Sequence, residues 1–321
     1  MRTSAPSEIQ NAARILRDGG LVAMPTETVY GLAADASNDS AVARIFAAKG
    51  RPQFNPLIIH VASIEMAERY IETSALAERL MKEFWPGPLT LVLPRRTDST
   101  LSLLVSAGLD TIGVRMPNHP LAQALIAEVD RPLAAPSANR SGSISPTRAS
   151  HVKESLGDKA DMILDGGASP VGVESTIVKV AKAEDGGERV LLLRPGGIAR
   201  TDIERVTGKK LENTKGGVEA PGMMASHYAP EAGLRLNARE QKDGEAFLGF
   251  GGVAGTGAAA LNLSAAGDLT EAAANLFAHL RALDALCAQH SLTAIAVAPI
   301  PMAGLGEAIN DRLARAAAPR N

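Results

Sequence analysis

Lys49 and Arg51 lie close together, separated by one glycine, between a helix-like and a strand-like stretch of the chain. An arginine in such a loop can bind phosphate oxygens through two parallel hydrogen bonds, and a nearby lysine adds a point charge. Both cations could instead serve the dipole at the C-terminal end of the preceding helix. That alternative does not explain Pro52 or the following Asn55, and these residues alone leave both interpretations open.

A second polar segment, Ser137-Ala138-Asn139-Arg140-Ser141-Gly142, directly follows an apolar, strand-like run. Its hydroxyl, carboxamide and backbone N–H groups could surround an anion. The same residue types also favour ordinary turns, so this second alternative remains open. Loops at the ends of strands are where an open α/β sheet presents groups to a ligand.

Three further groups occupy similar junctions. His60 ends an apolar strand-like run, where a lone histidine is more often structural than functional. Arg115 could bind a carboxylate, or it could pair with an internal acid such as Glu27. Ser175 precedes another apolar run and could simply begin a strand. Taken together, the cations, hydroxyls and carboxamides suit a polyanion with a small polar co-substrate, as in an ATP-using enzyme.

Other catalytic patterns are absent from the sequence. It contains no Gly-x4-Gly-Lys-Ser/Thr phosphate loop, no Gly-x-Ser-x-Gly elbow and no His-Glu-x-x-His pair. The glycines at 255 and 257 imitate a dinucleotide fingerprint, but they run into a strand-like segment instead of a helix, which predicts a loop between strands. The single cysteine, Cys287, lies in an apolar helical pattern and excludes an internal disulfide or a multi-cysteine zinc site. We expect it to be buried.

The surrounding pattern alternates strands with helices, which predicts an α/β fold with a substantial, mixed sheet. In the first two thirds of the chain we expect strands at 21–24, 57–61, 89–93, 111–114, 133–135, 162–164, 176–180 and 190–193, and helices at 8–17, 39–48, 76–84, 119–129 and 149–156. In the last third we expect strands at 246–250, 259–263 and 294–298, and helices at 269–289 and 306–317.

The length of 321 residues favours two domains. The stretch at 207–219 is rich in Gly, Lys and Thr, as a linker is, and we predict domains at 1–206 and 232–321 with a linker or lid at 207–231. A net charge of −2 and 3% aromatic residues give no general attraction to nucleic acid. No segment is typical of a signal peptide or a membrane span, so a cytoplasmic protein is expected.

Several ordered blocks together resemble the YrdC-like family of L-threonylcarbamoyladenylate synthases. They are Pro-Thr-Glu-Thr-Val-Tyr-Gly-Leu from residue 25, Lys-Gly-Arg-Pro from 49, Asn-Pro-Leu-Ile-Ile-His from 55, Pro-Ser-Ala-Asn-x-Ser-Gly from 136, Glu-Ser-Thr-Ile-Val from 174 and Leu-Arg-Pro-Gly from 193. The blocks Pro-Gly-Met from 221 and His-Tyr-Ala-Pro from 227 resemble the linker of the long, two-domain form. The resemblance implies an open, twisted mixed sheet with helices, followed by a smaller Rossmann-like α/β domain.

The resemblance also implies roles for individual residues. The family's threonine site corresponds to Thr28, His60, Arg115, Ala135 and Ser175, with Arg115 binding the carboxylate of threonine. Its ATP site corresponds to Lys49, Arg51, Asn55, Thr111, Ser137, Asn139, Ser145 and Arg194, to which we add Tyr228 from the linker. Lys49 and Arg51 are the residues expected to act in catalysis.

The implied reaction uses L-threonine, bicarbonate and ATP, with Mg²⁺ held mainly by phosphate oxygens and water. No residue is predicted as a metal ligand. The product would pass to the threonylcarbamoyl-transferase machinery that modifies tRNA, and weak binding of double-stranded RNA or tRNA is a further expectation.

Two other functions remain as alternatives. One is an RNA-binding module without ATP turnover, since proteins of this kind are suspected of binding double-stranded RNA. The other is a carbamoyl-transfer domain of hydrogenase maturation, against which the single cysteine argues because those proteins carry cysteine-rich zinc motifs.

Overall fold

The fold is that of a computed structural model, which describes residues 6–183, 186–214, 220–221 and 226–319. It contains one large and one small sheet, each covered by helices. In these ranges no helix combines the length and the apolar character needed to cross a membrane.

The first region is built on ten strands. They are β1 Val22–Met24, β2 Gly31–Asp35, β3 Ile58–His60, β4 Leu89–Pro94, β5 Thr111–Arg115, β6 Leu133–Ala134, β7 Met162–Ile163, β8 Thr176–Lys182, β9 Glu188–Arg194 and β10 Glu212–Asn213. Their order in the sheet is β10-β9-β8-β4-β5-β3-β6-β2-β1-β7. The sheet is mixed, because β3 pairs with β5 in parallel but with β6 antiparallel, which confirms the prediction.

Eight α-helices accompany these strands in the described chain. They are α1 Pro6–Arg17, α2 Asp39–Lys49, α3 Ile64–Glu68, α4 Ala75–Phe84, α5 Leu103–Ser106, α6 Pro120–Val129, α7 Ala149–Leu156 and α8 Arg200–Thr207. Helix α2 leads into the site. The Asn38 side chain caps its first turn, and Gly50 ends it in the left-handed conformation that favours glycine. This glycine turns the chain so that Arg51 leaves the helix axis directly after Lys49.

Some elements were not predicted. Strand β2 has the sequence Gly-Leu-Ala-Ala-Asp, which has no β-branched residue, although all five residues are buried. Helices α3 and α5 span five and four residues, too short to show a helical period. Strand β10 lies in the segment predicted as a linker; both its residues are exposed, so no apolar pattern marks it.

The two faces of the large sheet carry different side chains. Leu91 and Leu93 of β4 point into the main hydrophobic core beneath the helices. Val92 between them points to the opposite face, where it meets Ile58 and Ile177 in a small separate cluster. The candidate site lies on this second face.

The second region has a parallel sheet of four strands. Its elements are β11 Gly233–Arg235, β12 Glu245–Gly249, β13 Ala260–Asn262, α9 Leu269–His290, β14 Ala294–Val297 and α10 Gly306–Ala317, and the strand order is β11-β14-β12-β13. Gly255 and Gly257 lie between β12 and β13, which confirms that they form a loop between strands. Cys287 is buried in α9 and free, as expected.

The hydrophobic core of the second region extends into the first. Val29, Ile144 and Val173 belong to the same cluster as Phe277 of α9 and Ile309 of α10. The two regions therefore share a packed interface, and it lies beside the candidate site.

Candidate active site

A cavity on the second face of the large sheet brings together nine of the residues predicted to bind threonine or ATP. They are Thr28, Arg51, His60, Arg115, Ala135, Ser137, Ser175, Arg194 and Tyr228. Pro221 and His227 also line the cavity. The cavity has a volume of about 50 Å³, which is room for only a few waters.

Arg51 is one of three arginines that reach the cavity. Its Nε donates to the backbone oxygen of Asn55 at 3.2 Å and its Nη2 to that of Pro56 at 2.9 Å. Burial, with a smaller contribution from the neighbouring Arg194, lowers the pKa of Arg51 to about 10, so the group stays charged at neutral pH. The loop thus holds a fixed cation at the wall of the cavity.

Lys49 is buried and does not line the cavity. Its Nζ donates to the backbone oxygens of Ser137 and Asn139, each at 2.5 Å. Burial, and then the charge of Arg51, holds the pKa of Lys49 well below its usual range. Lys49 therefore fastens the loop after β6 to the end of α2, and in this arrangement it faces protein carbonyls.

Arg115 is held from three sides at the end of β5. Its Nε donates to the Gly87 oxygen at 3.2 Å, and its Nη1 donates to the Thr28 hydroxyl at 2.9 Å. Its Nη2 lies 2.6 Å from the Glu27 carboxylate, an ion pair outside hydrogen-bond alignment. The pairing with Glu27 that the sequence allowed is present. With one N–H group each directed to Gly87, Thr28 and Glu27, two of the five guanidinium N–H groups remain for a ligand.

Arg194 is the last residue of β9, and it binds the loop that leads into β8. Its Nε and Nη2 donate to the backbone oxygen of Ser175 at 3.2 and 3.0 Å, and Nη2 also lies 3.2 Å from the Ser175 hydroxyl. Its Nη1 donates to the Pro221 oxygen at 3.2 Å. Burial lowers the pKa of Arg194.

Two buried histidines in the wall are neutral. Burial, followed by the charge of Arg115, lowers the pKa of His60 to about 3. Burial likewise lowers the pKa of His227 to about 3, although the nearby Glu174 opposes this change. Neutral imidazoles can accept a hydrogen bond, and the Nδ1 atom of His60 is buried without a hydrogen-bond partner in the described structure.

Three of the remaining predicted residues contact residues of the cavity wall or its loops without lining the cavity. The Asn139 carboxamide donates to the backbone oxygens of Arg140 and Ser143 and shapes its own loop. The Ser145 hydroxyl donates to Glu174 at 2.5 Å. Asn55 contributes its carbonyl to Arg51. Thr111 begins β5, at the opposite end of the strand from Arg115, and lines a separate groove with Pro94 and Lys179, so the structure does not bring it to the cavity.

Two functional candidates were missed by the sequence reasoning. Glu174 lines the cavity, yet the sequence analysis gave it no role beyond its place at the start of the Glu-Ser-Thr-Ile-Val block. Arg312 of α10 is fully buried and donates to Glu174 at 2.8 Å. A signal for Arg312 did exist, since it falls on the same helical stripe as the buried Ile309, Leu313 and Ala316. A charged residue on the buried face of a helix indicates a buried partner, because charged side chains are almost never fully buried unless they are paired.

The segment before the second domain reaches the cavity as well. His227 and Tyr228 lie ring to ring, with centroids 4.2 Å apart, and Tyr228 is buried. The backbone N–H of Ala229 donates to the backbone oxygen of Gly142 in the first domain. The backbone N–H of His227 donates to the backbone oxygen of Arg315 in the second domain. Residues 215–219 and 222–225 of the predicted linker lie outside the described residues.

A metal site made by the protein is not evident in the described ranges, where no group of three or more His, Cys, Asp or Glu could hold an ion. The two carboxylates nearest the cavity, Glu27 and Glu174, are each paired with an arginine. The residues of the cavity therefore fit an anionic ligand that arrives with its metal already bound. They fit less well a metal ion that protein side chains would hold.

The site is that of an α/β enzyme that binds anions. One face of the mixed sheet presents three buried arginines and a neutral histidine, and a parallel-sheet domain lies beside it. Two family models match the chain. One is described as "Telomere recombination" (Sua5/YciO/YrdC) and covers residues 14–196. The other is described as "Threonylcarbamoyl-AMP synthase, C-terminal domain" and covers residues 198–318.

Individual proteins agree with these matches. "Threonylcarbamoyl-AMP synthase" of Pyrococcus abyssi (strain GE5 / Orsay) is 42% identical over an alignment of 337 residues in length. The alignment covers 96% of this chain and 94% of that protein. The protein of the same name from Bacillus subtilis (strain 168) is 48% identical over 235 residues, which cover 71% of this chain and 66% of that protein.

A solved structure, "Crystal structure of P. abyssi Sua5 complexed with L-threonine", superposes with a TM-score of 0.86 at 39% identity and covers 98% of this chain and 96% of that one. The chain belongs to the Sua5/YciO/YrdC family, in the form that carries the threonylcarbamoyl-AMP synthase C-terminal domain. This confirms the resemblance and the fold expected from the sequence.

Proposed function

We propose that this chain is an L-threonylcarbamoyladenylate synthase, which converts L-threonine, bicarbonate and ATP into threonylcarbamoyl-AMP and pyrophosphate. The observation that carries the proposal is the cavity, in which Arg51, Arg115 and Arg194 converge beside a neutral His60. The names of the similar proteins support the activity, and the threonine in the Pyrococcus abyssi structure supports the amino-acid substrate.

The threonine end of the cavity is assigned to Thr28, His60, Arg115, Ala135 and Ser175. Arg115 keeps two N–H groups for the substrate carboxylate, and its position is fixed by its other contacts. The unpartnered Nδ1 of neutral His60 can accept a hydrogen bond from the hydroxyl or the amine of threonine. Such a pocket binds a ligand with matching polar groups more tightly, because a buried polar group without a hydrogen-bond partner costs free energy.

The ATP end is assigned to Arg51, Arg194 and Ser137, with Tyr228 above them. The threonine amine attacks bicarbonate with loss of water, and an oxygen of the resulting N-carboxylate attacks the α-phosphorus of ATP, which expels pyrophosphate. This transfer needs alignment and charge neutralisation more than a strong base. Fixed arginines supply both, because they are already oriented before charge develops.

Lys49, Asn139 and Ser145 act on the same site by shaping it. Lys49 ties the Ser137–Asn139 loop to α2, and Asn139 closes that loop on itself. A magnesium ion that enters with ATP would neutralise charge on the leaving pyrophosphate, and it would be held by ATP and water instead of by side chains of this chain.

The segment 207–231 is proposed as a lid between domains at 1–206 and 232–321. His227 and Tyr228 now occupy the wall of a cavity with room for only a few waters, so ATP requires this wall to move. Closure over the bound nucleotide would exclude water from a labile adenylate. Protection of the segment from proteolysis by ATP is the measurement for this role.

The product is proposed to serve the threonylcarbamoyl-transferase machinery that acts on tRNA. Weak direct binding of tRNA or double-stranded RNA is a separate proposal, and no contact among the described residues requires it. An RNA-binding module without catalysis would show RNA affinity that falls steeply with salt and no ATP turnover.

The experiment that tests the function is pyrophosphate release from ATP by the full-length protein. Release should require both threonine and bicarbonate, and it should fall to background when either is omitted. Pyrophosphate release that ignores both co-substrates, or no release at all from folded protein, would contradict the proposal.

A further inference from the structure

Arg312 of α10 has the largest fully buried side chain of the described structure, and it comes from the second domain. Its Nε donates to Glu174 of the first domain at 2.8 Å, and its guanidinium carbon lies 5.2 Å from the centroid of the Tyr228 ring. Both partners line the cavity, whereas Arg312 does not. Building on the proposed synthase function, we propose that Arg312 is a positioning residue that holds Glu174 away from Arg194 and so leaves Arg194 available to the phosphates of ATP.

Glu174 is influenced by two arginines: it pairs with Arg312, and the charge of Arg194 also acts on it. Its Oε2 accepts from Arg312 and its Oε1 accepts from the Ser145 hydroxyl, so both carboxylate oxygens are occupied. Burial by itself would raise the pKa of Glu174, but the charge of Arg312, then that of Arg194, and the hydrogen bonds outweigh burial and lower the pKa to about 2. The carboxylate is therefore ionised at every physiological pH.

Arg194 is the alternative partner for this carboxylate. It carries no ion pair in the described structure, because its donors go to carbonyl oxygens and to the Ser175 hydroxyl. If Arg312 were removed, a buried and charged Glu174 would be left without its ion pair, which is strongly unfavourable. Arg194 is the other cation whose charge acts on Glu174, and pairing with it would remove a positive charge from the ATP end of the cavity.

The backbone around Glu174 leaves little room for other adjustments. The N–H of Gly197 donates to the Glu174 oxygen at 3.0 Å. A Cβ atom on Gly196 would come within 2.4 Å of that oxygen and of the Ser175 backbone, so the two chains touch directly. The main chain is thus fixed, and the Glu174 side chain is the part that can turn from one arginine to the other.

Arg312 also supports the segment that closes the cavity. The Tyr228 ring lies near the Arg312 guanidinium and 5.6 Å from the ring of Phe277, and both neighbours belong to the second domain. Tyr228 has a φ of 63°, a left-handed conformation that a non-glycine residue adopts only when its surroundings hold it. The second domain therefore forms the surface on which this part of the active site rests.

The test compares four variants for ATP affinity and turnover. Arg312→Met removes the charge at similar length, Arg312→Lys keeps the charge, and the double variant Arg312→Met with Glu174→Gln also removes the carboxylate. The matched control is Arg235→Met, which breaks a 2.6 Å ion pair with Glu245 elsewhere in the second domain. Circular dichroism and thermal unfolding establish that each variant is folded.

We expect Arg312→Met to raise the Kd and KM for ATP about tenfold or more, with a change in kcat below about threefold. Removing the carboxylate as well should restore most of the ATP affinity, because Arg194 is then no longer neutralised. Arg312→Lys should be intermediate, and Arg235→Met should stay within about twofold of the original protein. A purely structural role would lower kcat and stability together, and the double variant would then be no better than the single one.

Two results would overturn the inference: a folded Arg312→Met variant with ATP affinity within about twofold of the original, or no recovery in the double variant. If Arg312→Met does not fold, the comparison of Arg312→Lys with the double variant decides in the same way. ATP affinity measured by calorimetry does not depend on turnover. A failure of the synthase reaction in the unmodified protein is therefore distinguishable from a failure of this inference.

Discussion

The ammonium group of Lys49 donates a 2.5 Å hydrogen bond to the backbone oxygen of Ser137, 88 positions further along the chain. Together with the bond to Asn139, this contact joins two loops that both carry predicted ATP ligands. Arg51, two residues away, reaches the cavity instead. Two neighbouring cations that look equivalent in the sequence therefore have different surroundings, and their substitutions should have different effects.

Lys49→Met should reduce stability and ATP binding together. The substitution leaves the Asn139 oxygen without its donor and removes one of the two donors to the Ser137 oxygen, which keeps the N–H of Asn139. An unsatisfied buried group costs about 1–3 kcal/mol. We expect the free energy of unfolding to fall by about 2 kcal/mol or more in urea titrations, with weaker ATP binding in calorimetry. A fully stable Lys49→Met protein that had lost only turnover would show that Lys49 acts on ATP directly.

Arg51→Ala should lower adenylate formation by at least about tenfold. One fixed electrostatic donor to a transition state is typically worth ~2–4 kcal/mol. The sequence left a structural role of this cation open, and the structure shows that Arg51 holds the Asn55 and Pro56 oxygens, so a smaller loss of stability should accompany the loss of activity. Pyrophosphate release measured on folded protein makes the comparison, and near-normal release would remove Arg51 from the site.

Stability should fall as the pH drops below about 6.5, because His60 and His227 are buried and neutral. Their pKa values in the folded protein are lowered to about 3, so below the ordinary value of 6.5 protons bind the unfolded chain preferentially. Between pH 7.5 and 5 each histidine should remove about 2 kcal/mol of stability. In His60→Gln this pH dependence should become shallower by that amount in denaturant titrations.

His290→Gln provides the comparison for this measurement, since it replaces a histidine that is exposed and lies outside the cavity wall. If the free energy of unfolding had the same slope with pH in His60→Gln and in the original protein, His60 would bind protons as readily in the folded chain as in the unfolded chain. That result would contradict a buried, neutral His60.

Much of the site could be predicted because the polar blocks stand at loop positions beside apolar strands. Nine predicted residues line one cavity, including Arg115 and Arg194, which come from strand ends far apart in the sequence. The contact between Glu174 and Arg312 spans 138 residues and joins two domains, so no local pattern reveals it. The orientation of Lys49 was equally hidden, because whether a buried cation faces carbonyls or a ligand depends on the tertiary fold.

The amino-acid pocket should prefer threonine, accept serine weakly and reject valine. A missing methyl group costs only ~1–3 kcal/mol, whereas a missing hydroxyl leaves polar groups of the pocket unmatched and costs more. His60 is such a group, whereas the Thr28 hydroxyl already bonds Arg115 and Thr26. Pyrophosphate release with each amino acid at saturating ATP and bicarbonate measures the order, and higher activity with valine than with serine would contradict a pocket that reads the hydroxyl.

The most direct measurement of the central claim is the mass of the product formed from ¹³C-labelled bicarbonate. Full-length protein, threonine and ATP should give threonylcarbamoyl-AMP that is one mass unit heavier than with unlabelled bicarbonate, together with one pyrophosphate per product. Threonyl-AMP without the labelled carbon, or ADP and phosphate in place of pyrophosphate, would show that the cavity performs a different reaction.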